Sequence, residues 1–145
     1  MTLLRIDGAC ATPAELDWHA VDALAAGDAR INDTAALSPK VTGQGVRLGA
    51  LLDHAQPHVD ATHVIIYDDG EYTACLTLTE ARDAAVLAHA LDGAPLPYGL
   101  GGPLRLLVPS SENLCLSVKR VTRLELSTQA RPDTVPRPTT ALRLP

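Results

Sequence analysis

Apolar positions divide the chain into short elements whose period changes along its length. Leu3 to Ile6 reads as a strand, and Thr12-Pro13-Ala14-Glu15 then reads as a helix start. Thr12 would be its N-cap, Pro13 its first helical residue and Glu15 the partner in a capping box. Trp18, Val21, Leu24 and Ala25 recur at helical spacing and are expected to face the core, with Asp17 and Asp22 facing water and Gly27 ending the helix. Residues 28–46 read as turns around short extended pieces, marked by Pro39, Gly43 and Gly45. Leu48, Leu51, Leu52 and Ala55 predict a second short helix that stops at Pro57.

The second half is richer in strand signals. His63 to Tyr67 is a β-branched run followed by the turn Asp68-Asp69-Gly70, so it reads as a buried strand. Tyr72, Ala74, Leu76 and Leu78 then alternate with Thr73, Cys75 and Thr77, as in a half-buried strand, and Thr77 with Glu80 makes a capping box. Val86 to Leu91, Leu104 to Val108 and Val121 to Leu126 complete the strands. Helices and strands mix without a strict β-α-β rhythm, so the fold class expected is α+β, with mixed sheets and short helices.

Composition narrows the function. The 145 residues suffice for one domain with a real core, expected over residues 1–126, and leave no room for a second. With no Phe and one Trp, that core must come from Leu, Val, Ile and Ala. Residues 127–145 carry Pro132, Pro136, Pro138 and Pro145 among Arg131, Arg137 and Arg143, and read as an extension that is solvated or draped on a partner. A net charge of −5 without a Lys/Arg run argues against nucleic acid as a partner. No apolar run approaches the roughly 18 residues of a membrane span, and no secretion signal is present, so a cytoplasmic location is expected. Cys10, Cys75 and Cys115 are odd in number and widely spaced, which favours free thiols over disulfides or a zinc knuckle. Pro57 separates His54 from His58, and no nucleophile elbow, P-loop or H-E-x-x-H motif occurs.

One combination is more specific. Leu91-Asp92-Gly93-Ala94-Pro95-Leu96-Pro97 is followed by Gly101-Gly102-Pro103-Leu104-Arg105-Leu106-Leu107-Val108-Pro109, and then by Ser117-Val118-Lys119-Arg120-Val121-Thr122-Arg123-Leu124-Glu125-Leu126. In order and spacing these segments resemble the closing half of the molybdopterin-binding domain of the sulfite oxidase family. Leu3-Leu4-Arg5-Ile6-Asp7-Gly8, the stretch from Gly45 to Leu52, and Asp69-Gly70-Glu71-Tyr72 leading to Ala81 resemble its earlier segments, so the likeness spans residues 3–126. The chain begins at the first of these and ends before the dimerisation domain that family enzymes add, so a family core without either flank is expected.

The resemblance implies a site and also marks its gaps. Family enzymes hold molybdenum through the cofactor's dithiolene and one cysteine, about a dozen residues before the Gly-Val helix start. Here that place falls at Asn32-Asp33-Thr34, and no cysteine lies between Asp33 and Gly45. Asn32 and Asp33 read more simply as turn residues. Arg105 and Lys119 match basic positions that grip the pterin phosphate, Gly102 belongs to the same turn, and Tyr72 matches a tyrosine beside the metal. Leu100 stands where the family has a histidine, and Asn113 to Leu116 replace a glycine-containing loop. No cofactor is therefore expected, and the domain reads as a non-catalytic binding or interaction module with a protein partner or a second copy. The alternative is an oxidoreductase, or a subunit of one, that keeps molybdopterin through Arg105, Lys119 and backbone donors. The missing ligand leaves enzymatic activity open.

Overall fold

The computed structural model describes residues 2–38, 41–109 and 115–132. The apolar runs become eleven strands in two sheets. In the first sheet β1 (Leu4–Gly8) lies between β2 (Ala14–Leu16) and β11 (Arg123–Ser127), followed by β5 (His63–Tyr67) and β6 (Thr73–Thr77). The second runs β10 (Cys115–Val118), β9 (Arg105–Pro109), β7 (Val86–Leu91), β4 (Gln44–Arg47), β3 (Arg30–Ile31), with β8 (Ala94–Pro95) also on β7. Among the described residues only β1 and β11 pair in parallel, which agrees with the α+β expectation.

Each sheet turns one face inward. Leu4, Ile6, Val64 and Ile66 of the first and Leu87, Leu106 and Val108 of the second share one buried cluster with Val21 of α1 (Trp18–Leu24) and Leu48, Leu51 and Leu52 of α2 (Leu48–His54). At about 1.5–3 kcal/mol for each fully buried large aliphatic side chain, this cluster is the main favourable term for the fold. Helix α3 (Leu78–Asp83) starts as expected, the Thr77 hydroxyl accepting from the Glu80 N–H at 3.1 Å. Among the described residues no helix is long and apolar enough to cross a membrane.

The first helix departs from expectation. Ala14–Leu16 is strand β2, paired with β1 through Leu4↔Leu16 and Ile6↔Ala14, and α1 begins only at Trp18. Asp17 caps it, its carboxylate accepting from the Ala20 N–H at 2.8 Å. Strand pairing satisfies the backbone of residues 14–16 and buries Leu16, which outweighs a local capping signal. The Thr12 hydroxyl instead donates to Gln56 Oε1 at 2.7 Å. The helix ends at the C-cap Ala25, before Gly27, which opens a 3-10 turn. Asp22 does not simply face water: it is 2.9 Å from Nε2 of the fully buried His89.

Candidate functional site

The turn joining β8 to β9 builds one corner of the second sheet. After buried Leu96, Pro97 leads a 3-10 turn over Tyr98–Leu100, and Gly101 closes it in the left-handed region at φ +91°. At Gly102 an added Cβ would lie 1.8 Å from the Leu96 carbonyl oxygen, so backbone packs directly on backbone. At Gly101 it would lie 2.7 Å from Arg105 Cδ and 2.9 Å from Lys119 Cγ. Both basic stems therefore cross the same bare backbone, and Arg105, Lys119 and Gly102 come together at this corner.

The two cations differ in freedom. Arg105 donates from Nε to Ser117 Oγ at 2.6 Å and from Nη1 to the Leu100 carbonyl at 3.0 Å, which fixes the guanidinium plane. The Leu100 carbonyl thus holds Arg105 where the family resemblance places a histidine. Lys119 is exposed and has no hydrogen bond or ion pair among the described residues. An oriented guanidinium whose stem adjoins that of an exposed lysine offers charge of the sign that a phosphate needs.

The molybdenum end does not follow suit. The Asp33 carboxylate accepts from the Ala35 N–H at 2.9 Å and caps the 3-10 turn Thr34–Ala36, while the buried Thr34 hydroxyl donates to the Val41 carbonyl. Cys10 is buried after β1 and Cys75 lies on β6 of the other sheet, so neither thiol belongs to this segment. Among the described residues no three His, Cys, Asp or Glu side chains are grouped to hold a metal. Strand pairing sets Arg105, Ala88, Gly45 and Ile31 in one row across the sheet. Val41, Ala88, Leu96 and Leu107 pack together on this side of the sheet as a second buried cluster, with Leu100 against it. This cluster joins Val41, from the loop that follows Asp33, to Leu96 and Leu100, from the turn that carries the cation corner. Residues 31–45 contain no cysteine, so this segment supplies no thiolate for a metal, while the corner carries the two cations.

Tyr72 is not brought to this corner. It ends the β5–β6 turn, where Asp68 Oδ1 accepts from the Gly70 and Tyr72 N–H groups, and its side chain is 54% exposed. Arg120 links that hairpin to the corner: its guanidinium stacks 4.3 Å from the Tyr98 ring centroid, and its Nε lies 3.8 Å from Asp69 Oδ2. A shallow groove of about 290 Å³ beside it is lined in part by Thr2, Pro103 and Thr122.

Two polar constellations escaped the sequence reading because their members are far apart in the chain. In one, Trp18 Nε1 donates to the His89 carbonyl at 2.8 Å, and His89 Nδ1 is buried with no hydrogen-bond partner among the described residues. In the other, Glu125 accepts from Tyr67 Oη at 2.5 Å and from both terminal nitrogens of Arg131. Partial burial pushes the Glu125 carboxyl up, but Tyr67, Arg131 and Arg123 outweigh it and hold the group below its ordinary range. The only sequence signal was the alternation in Arg123-Leu124-Glu125-Leu126, which places Arg123 and Glu125 on the outer face.

The fold is a two-sheet α+β domain. Residues 3–135 match the family of the oxidoreductase molybdopterin binding domain, and the chain belongs to that family. Its fold is similar to that of the sulfane dehydrogenase SoxCD from Paracoccus pantotrophus, with a TM-score of 0.60 and 20% sequence identity over 88% of this chain. The match covers 38% of the SoxCD chain, so the likeness concerns a domain-sized part of that protein and its fold alone. No curated protein matches the chain.

Proposed function

We propose that this domain is a non-catalytic binding module that keeps the anion-binding corner of its family without the molybdenum ligand. The observation that carries this reading is the meeting of Arg105 and Lys119 over Gly101. In this reading a phosphate-bearing ligand is held by the Lys119 ammonium, by guanidinium donors of Arg105 and by the adjoining turn. Asp33, with one carboxylate oxygen taken by its cap, has no part in this reading. Family membership supports a second reading, an oxidoreductase domain that retains molybdopterin through the same two cations. Tyr72 would then have to act from a separate hairpin.

Titration with inorganic pyrophosphate tests the corner. Saturable binding is expected, and Lys119→Gln should weaken it roughly tenfold, since a hydrogen bond between charged groups is worth about 1.5 kcal/mol or more. Equal affinity in wild type and Lys119→Gln, or no binding at low salt, would remove the proposal.

A further inference from the structure

The outer face of the first sheet carries a row defined by strand pairing. Cys75 on β6 stands opposite Ile65 on β5, Ile65 opposite Glu125 on β11, and Glu125 opposite Asp7 on β1. Ile65 belongs to neither core cluster, yet it is only 2% exposed. The chain beyond β11 turns back toward this row. Ser127 Oγ donates to the Gln129 carbonyl at 2.7 Å and accepts from its N–H at 3.2 Å, a tight local turn that folds the chain back. Arg131 then spans the row: its backbone N–H reaches Cys75 Sγ at 3.5 Å, while its guanidinium forks onto Glu125 at 2.8 and 3.1 Å. The residue bridges the two strands that flank Ile65.

We infer that residues 128–132 form a strap closed over the outer face of the first sheet, latched by the Arg131–Glu125 pair and releasable without opening the core. The latch is prepared from several directions. Tyr67 Oη fixes one Glu125 oxygen, Arg123 lies 3.8 Å from it, and Arg123 is itself held by Asp7 at 2.9 Å. Glu125 therefore keeps polar partners when Arg131 leaves, and release does not strand a bare carboxylate. The inward faces of β5, β6 and β11 pack through Val64, Ile66, Ala74, Leu76, Leu124 and Leu126 on the opposite side and do not depend on the strap.

The test is thiol labelling of the full-length protein under native conditions, with the rate at each cysteine read from peptide masses. Cys10 is buried in the core and serves as the internal reference. In Arg131→Gln, Cys75 should label about tenfold faster than in wild type while Cys10 is unchanged, and Arg131→Lys should fall between. A chain ending at Ala130 should match Arg131→Gln. Unchanged Cys75 labelling in both Arg131→Gln and the shortened chain would overturn the inference. So would a parallel rise at Cys10, which would mean that strap and core open together.

Discussion

Gly101 and Gly102 adjoin, and each excludes a side chain for its own reason. Gly101→Ala would hold an L-residue at φ +91° and press a methyl group against the stems of Arg105 and Lys119. The left-handed conformation costs about 1–2 kcal/mol, and displacement of the stems should lower anion affinity beyond the loss of stability. Gly102→Ala meets the Leu96 backbone, which cannot swing away as a side chain can. It should be the more destabilising of the two in chemical denaturation, by about 3 kcal/mol or more. A smaller loss for Gly102→Ala than for Gly101→Ala would contradict this account of the turn. At this scale much of the corner was legible: Arg105, Lys119 and the glycines stand out as residues. Their meeting was not, because it depends on the pairing of β9 with β10.

Elements obeyed their sequence signals where no long-range partner competed. Thr77 caps α3 as its spacing implies, and the run from His63 to Tyr67 is β5 residue for residue. Thr12 offered an equally good local signal and lost, because β1 supplies a pairing edge for Ala14–Leu16. Asp17→Ala should therefore cost about 1 kcal/mol in thermal or urea unfolding, while Thr12→Ala leaves α1 intact by circular dichroism. The strap makes a pH prediction. Glu125 is held below its ordinary value of 4.5, so its contribution is complete above that pH and is lost as pH falls through the lower folded value. Cys75 protection should persist through mildly acidic conditions and fail only below the ordinary glutamate range, with Tyr67, Arg123, Arg131 and Asp7 as the groups facing the carboxylate. The side chains of this network come from β1, β5, β11 and the segment beyond β11, and periodicity within single strands carries no trace of their meeting.

For the molecule as a whole, the two-sheet fold of the oxidoreductase molybdopterin binding domain family places a cation corner at one end of the second sheet and a capped turn at the other. Val41, Leu96 and Leu107 pack in one buried cluster. The sequence shows that no cysteine lies between Asp33 and Gly45, whereas the packing of Val41 against Leu96 joins the loop before β4 to the turn after β8 and is not legible in it. The central claim is that this member of the family keeps the anion end and not the metal end. Its most direct test is molybdenum analysis by mass spectrometry of full-length protein produced in a molybdenum-replete host and passed through gel filtration. The account predicts molybdenum far below one atom per chain. Near-equimolar molybdenum that co-elutes with the protein would contradict it.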